Sequence, residues 1–316
     1  MFRIGIVGTG IIAAQHKNAI LKNADSELVC VCDIDRSKAE KCAEGINAAI
    51  YTDYREMAQN EKIDAVIINL PHFLHKEAAI YFLERKINVL VEKPMAISAS
   101  ECEQMKAAAE KNGMILAVGH IQRYLPAHRE LKKIIDNKIL GELCVVTETR
   151  NIDYFVDTRP SWFLDKDLSG GGIIMNYGAH TLDKLLYLVD SKIKSVNANI
   201  GNILNDKNIE AQAQILLGFE NNVSAALSYC ASRINYIYET YFFFTDGVAK
   251  IEDGRYLWTS VKDVPFKKAE LNYDVVPIEL QYEEFVKWLK GEKADIADAD
   301  FGKRTLEVID RVYGRE

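Results

Sequence analysis

The sequence holds no apolar run near the roughly 20 residues of a membrane-spanning helix, so no membrane is expected among its partners. It also lacks a basic excess: 39 Lys and Arg stand against 46 Asp and Glu, a net charge of −7. Nucleic acid and anionic lipid surfaces select a basic face, and neither is expected as a main partner. Cysteine is sparse. The six thiols form no C-x-x-C and no Cys/His cluster of zinc spacing, so no metal is expected. They read as reduced, mostly buried thiols, which suits a cytoplasmic location. Repeats, low-complexity segments and long linkers are missing too. The start, Met1-Phe2-Arg3-Ile4-Gly5, enters a strand at once, and no signal peptide is expected. What remains, 316 residues at 48% hydrophobic and 27% charged, is an ordinary globular composition with length for two domains.

Residues 3–7 read as a short apolar strand, followed by Gly8-Thr9-Gly10-Ile11-Ile12-Ala13 and a helix over 14–21. This G-x-G-x-x-A between strand and helix is a dinucleotide fingerprint. Glycines let backbone approach a pyrophosphate, and the helix start offers free N–H groups. The next strand, 27–32, ends in Asp33, placed to take the ribose 2′-hydroxyl of NAD and to repel a 2′-phosphate. Asp35 suits the cap of the following helix better. Arg36 allows an adenine stack or a phosphate contact, but NAD is favoured over NADP. A third core strand, 64–69, runs into Leu70-Pro71, His72 and His75, a loop expected beside the nicotinamide. His72 and His75 can equally cap or pack the helix over 76–84.

The run Asn88-Val89-Leu90-Val91 ends in Glu92-Lys93-Pro94. A lysine at the mouth of a parallel strand lies where open α/β sheets bind ligands. A helix over 98–112, with Ser98 and Glu101 as a capping box, leads to a strand at 115–118. The alternation predicts a doubly wound parallel sheet over residues 1–120. From 121 to 316 the pattern becomes runs of strands (142–150, 195–201, 210–219, 222–231 and 236–245), which predicts an α+β domain with a large, mostly antiparallel open sheet. Its tyrosines and phenylalanines over 236–244 are expected on the outer face, as a homodimer or homotetramer contact. A final helix over 298–313 is expected to pack back on the first domain. Between these strands lies Ser169-Gly170-Gly171-Gly172, and then a predicted helix with Asn176, His180 and Asp183 on one face. Histidine transfers protons near neutral pH.

The fingerprint, Asp33, the 71–75 loop, Glu92-Lys93-Pro94, Arg123 and the 170–183 segment together resemble the Gfo/Idh/MocA family of oxidoreductases over nearly the whole length. The resemblance implies a Rossmann domain followed by an α/β domain. It also implies hydride transfer between nicotinamide and a carbinol carbon of a sugar, polyol or sugar derivative. Lys93 and His180 are then the acid/base groups. Asn176 stands where many members carry Asp, so it orients by hydrogen bonds and takes up no proton. Gly8, Thr9, Gly10, Ile11, Ile12, Asp33, Arg36, Leu70, Pro71, His75, Glu92 and Lys93 are the expected cofactor contacts. Arg123, Tyr154, Trp162, Asn176 and Asp183 are the expected substrate contacts, although Trp162 also suits a core position. Two other functions stay open: a silent dinucleotide-binding regulator, and an NAD-assisted glycosidase.

Overall fold

The computed structural model describes residues 1–204, 206–232 and 235–315. One unit comprises Met1–Ile121 and Val276–Leu306, and the other Gln122–Val275 with the residues from Glu307 onward. In the first unit, runs of apolar and β-branched residues become strands β1 (Phe2–Val7), β2 (Ser26–Cys32), β3 (Ala49–Tyr51), β4 (Ala65–Ile68), β5 (Asn88–Val91) and β6 (Leu116–Val118). All pair in parallel, in the order β3-β2-β1-β4-β5-β6. Helices α1 (Ala13–Lys22), α2 (Arg36–Ala43), α3 (Tyr54–Asn60), α4 (His75–Leu83) and α5 (Ala99–Asn112) connect them. Both sheet faces are covered, so Ile4, Ile6, Val31, Ile67 and Leu90 are all buried. Burial pushes the thiols of Cys30 and Cys32 up to about 12, which makes them inert packing groups. The α5 cap forms as expected: Ser98 Oγ accepts from the Glu101 N–H at 3.3 Å, and Gly113, at φ 65°, ends the helix.

The order reverses direction at β1, between β2 and β4. Loops there leave the carboxyl ends of the strands on either side of a crevice, the usual ligand position of such sheets. Strand β3 was absent from the sequence expectation, which had five strands where six form. At three half-buried edge residues, it carries too little apolar pattern to be read.

In the second unit, α6 (Pro126–Asp136) precedes β7 (Leu143–Asn151), and α7 (Lys166–Ser169) and α8 (Ala179–Val189) follow. Next come β8 (Ile193–Gly201), β9 (Gln212–Phe219), β10 (Ser224–Cys230), β11 (Ile237–Phe244), β12 (Gly247–Glu252), β13 (Tyr256–Val261) and β14 (Lys267–Lys268). They form one eight-stranded sheet, β14-β13-β12-β11-β7-β10-β9-β8, antiparallel except where β7 pairs with β10. The aromatic run does not lie on one face. Strand residues alternate sides, so Tyr238, Phe242 and Phe244 are buried, while Ile237 and Phe243 are exposed and Tyr241 is partly so.

Helix α9 (Pro277–Leu289) returns to the first unit, where Ile278, Tyr282, Phe285 and Val286 join the core around Ala13 and Ile20. Helix α10 (Ala299–Val312), opened by Asp298 accepting from the Phe301 N–H at 2.8 Å, begins in the first unit and ends in the second. Among the described residues, no helix is long and apolar enough to cross a membrane.

Candidate active site

After β1 the first unit turns through Gly8 at φ +86°, where an added Cβ would stand 2.6 Å from the Asn69 carbonyl oxygen. Chain geometry alone therefore demands glycine there. Gly10 is different. It needs no left-handed φ, and nothing lies within 4 Å of where its Cβ would be. Open space before backbone at a helix start is what a bound pyrophosphate requires. No side chain caps α1 at Ile12, and Ile11 beside it is 92% exposed. Within the first turn, the Ala13 N–H donates to the Gly10 oxygen at 3.1 Å and the Gln15 N–H to the Ile12 oxygen at 3.0 Å, so the turn is closed by backbone and not by a side chain. These residues fit a dinucleotide.

Asp33 follows β2 and shapes the same turn. Its Oδ2 accepts from the Thr9 N–H at 2.8 Å and the Thr9 hydroxyl at 3.0 Å, and its Oδ1 accepts from the Asp35 N–H at 3.0 Å. Asp35 is the cap of α2, accepting from the Ser37 N–H at 3.1 Å. Arg36 points outward and pairs with Glu40 at 3.0 Å one helical turn on. An exposed i,i+4 pair of this kind holds an arginine weakly.

At the mouth of β5, the half-buried Glu92 ties two parts of this unit together. Its Oε1 lies 2.8 Å from Nε2 of His16 on α1, and its Oε2 accepts from the Lys93 N–H at 3.1 Å. Burial opposes ionisation of Glu92, yet the His16 ring and Lys93 hold its carboxyl below the usual range. The fingerprint helix and the lysine backbone therefore share one carboxylate. His75, an expected cofactor contact, is held within the chain. Its buried ring sets Nε2 2.7 Å from the Leu70 oxygen and Nδ1 3.0 Å from the Pro94 oxygen, so both nitrogens are engaged within the chain. Burial lowers its pKa. The ring braces Leu70 against Pro94, and so steadies the loops on which Pro71 and Lys93 stand.

In the second unit, Glu210 organises the glycine segment. Its carboxylate accepts from the Gly172 and Ile174 N–H groups, each at 2.8 Å, and from the Tyr313 hydroxyl at 2.7 Å. An added Cβ at Gly171, φ +154°, would strike the Tyr313 hydroxyl at 2.1 Å. The chain then makes a π-helical turn, Ile174–Gly178, before α8. The regular helix expected over Asn176 is thus a wider turn, a feature frequent at functional sites. His180 and Asp183 meet on Gln122: the His180 Nδ1 lies 3.5 Å from Gln122 Nε2, and Asp183 Oδ2 accepts from the Gln122 N–H at 3.0 Å. The buried His128 holds Gln122 from behind, its Nδ1 2.9 Å from the Gln122 oxygen. Burial pushes the His128 ring down to about 4, and the nearby Lys184 charge adds to this.

Asn176 faces the hydroxyl of Tyr154. That tyrosine is wholly buried, with the Arg159 guanidinium carbon 4.1 Å from its ring centroid. Its hydroxyl, an expected substrate contact, is buried without a hydrogen-bond partner among the described residues. Trp162 stacks on Phe163 at 3.8 Å and is only half-buried, so it is no core anchor. Arg123 is buried, 5.5 Å from the Tyr187 ring centroid. A groove of about 710 Å³ runs beside Phe155, Arg159, Leu164 and Leu204, and Asn176, His180 and Asp183 do not line it.

The sequence reading missed Gln122, Glu210 and the buried ion pair of Glu148 with Lys184. Glu148 also accepts from the hydroxyls of Thr181 and Thr240, and all four side chains are fully buried. A signal was present in Glu148 and Arg150, polar at alternate positions of a strand. Among the described residues, no group of three or more His, Cys, Asp or Glu forms a metal site.

Residues 2–120 match the model of an oxidoreductase family with an NAD-binding Rossmann fold, and residues 128–249 match the GFO/IDH/MocA C-terminal domain. The chain is 33% identical to D-glucoside 3-dehydrogenase of Escherichia coli over 202 residues, 62% of this chain and 57% of that protein. The matched stretch spans 52–57% of the length of the first four curated relatives. Aldose-aldose oxidoreductase of Caulobacter crescentus has the same fold, with a TM-score of 0.89 at 21% identity, covering 99% of this chain and 97% of that one. So has the WlbA dehydrogenase of Bordetella pertussis, solved with NADH and UDP-GlcNAcA, with a TM-score of 0.85 at 23% identity over 99% and 96% of the two chains.

Proposed function

The chain belongs to the Gfo/Idh/MocA family of oxidoreductases, and from that premise we propose that it moves a hydride between NAD and a carbinol carbon of a sugar, polyol or sugar derivative. The observation that carries the reading is Lys93, set at the mouth of β5 in an NAD-binding sheet by a carboxylate that also grips the fingerprint helix. NAD supplies the hydride acceptor in oxidation and the donor in reduction. The protein's part is to move the proton. Oxidising CH–OH to C=O releases one hydride and one hydroxyl proton, and Lys93 and His180 receive or return that proton. Gln122, fixed by His128, steadies His180. Asn176, with Tyr154 behind it, orients the sugar by hydrogen bonds and takes no proton. The relatives' names support the substrate class, since they act on glucosides and aldoses.

Nicotinamide absorbance tests this reading in a panel of sugars and polyols, with NAD and with NADP, on wild type beside Lys93→Met. The expected result is turnover with NAD that falls by about 10³-fold or more in the variant, a general acid/base loss, while NADH affinity is kept. Equal rates in wild type and variant would overturn the mechanism.

A further inference from the structure

Arg150 on β7 is a buried charge without an ion-pair partner among the described residues. The residue is 8% exposed, and its Nε and Nη1 are buried without any hydrogen-bond acceptor among the described residues. Its guanidinium carbon lies 4.3 Å from the Tyr177 ring centroid and 4.0 Å from that of Tyr238. Contacts of this kind engage the π faces and leave the in-plane N–H donors unspent. The nearest buried carboxylate is taken. Glu148, two residues earlier on the same sheet face, gives its oxygens to Lys184, Thr181 and Thr240. Buried cationic N–H groups with no acceptor are costly, and a site that tolerates them is built for an acceptor that arrives. The location fits. Tyr177 follows Asn176 directly in the π-helical turn, and its ring also meets Tyr154, behind Asn176, at 6.0 Å.

We infer that Arg150 is the anion-recognising residue of the substrate site. The substrate then carries an oxyanion, a carboxylate or a phosphate, on its sugar. Planar guanidinium donors match both groups and distinguish them from a neutral hydroxymethyl. The inference rests on the sugar-oxidoreductase reading and narrows its substrate class from sugars at large to acidic ones.

Calorimetric titration of the full chain with saturating NADH tests it, using D-glucose, D-glucuronate and D-glucose 6-phosphate as probes. Wild type should bind one or both acidic probes about ten- to a hundredfold more tightly than glucose, the advantage of a charge-assisted pair. Whichever acid wins identifies the group. Arg150→Met should bring that advantage to within about twofold of glucose, and Arg150→Lys should retain part of it. Equal wild-type affinities, no binding of either acid, or an advantage that survives in Arg150→Met would each overturn the proposal. If Arg150→Met does not fold, by near-ultraviolet dichroism and melting, the wild-type comparison and Arg150→Lys decide. The broader reading fails separately: equal turnover in wild type and Lys93→Met would overturn it and leave the anion preference measurable.

Discussion

The two units build their chemistry from different materials. In the first, the working atoms are backbone and half-exposed side chains at strand ends. Gly8, Gly10 and Asp33 shape one turn, and Glu92 joins it to Lys93. In the second, they stand on a buried polar core. Glu148, Lys184, Asp183 and His128 are all buried, two of them on α8 itself. Loop chemistry tolerates exchange of its ligand with water. Buried charges do not, because each depends on its partner for solvation. Perturbation should therefore cost the second unit stability and the first unit affinity.

The largest expected break in that contrast is Lys184→Met. Burial of Glu148 disfavours its charge, and Lys184 with Thr181 restores it, holding the carboxyl below the usual range. Removing the ammonium leaves a buried carboxylate alone, at an expected loss of about 3–5 kcal/mol in denaturant unfolding. Adding Glu148→Gln to that variant should recover much of the loss. No recovery would mean the pair is not what stabilises this layer.

A smaller effect sharpens the contrast through pH. Folded His128 has a depressed pKa, about 4 against an ordinary 6.5, because burial and then Lys184 disfavour its charge. Its contribution is therefore complete above pH 6.5 and declines as pH falls toward 4, since the unfolded chain binds a proton that the folded ring refuses. The decline approaches about 3 kcal/mol. Melting at pH 7 and pH 4.5 should show it in wild type, and His128→Asn should show a shallower decline. Equal declines would remove His128 from the account.

Legibility in the sequence followed the same divide. The first unit could be read because its site residues are contiguous: Gly8 to Ala13 in one run, Glu92 to Pro94 in another, each at the end of an apolar strand. Within it, β3 escaped for want of length, and the bracing of His75 escaped because the carbonyls that hold it are fixed only by folding. In the second unit the segment around His180 was found, but its supports were not. Gln122 reaches His180 and Asp183 from about 60 positions away, Glu148 reaches Lys184 from 36 positions away, and no local pattern marks either pair. The aromatic run over 236–244 was read as one face because its residue types are uniform, while strand alternation divides them between core and open face. Helix α9 packs on α1 across most of the chain length, which periodicity alone cannot reveal.

The most direct test of the division of labour is the NADH dissociation constant, by fluorescence, of wild type, Gly10→Val and His180→Asn. Gly10 meets no neighbour and needs no special φ, so valine there should leave the fold intact and fill the space a pyrophosphate would occupy. The account predicts that Gly10→Val weakens NADH about a hundredfold, with an unchanged melting temperature, while His180→Asn stays within about twofold of wild type. NADH affinity untouched in Gly10→Val, or lost in His180→Asn alone, would contradict it.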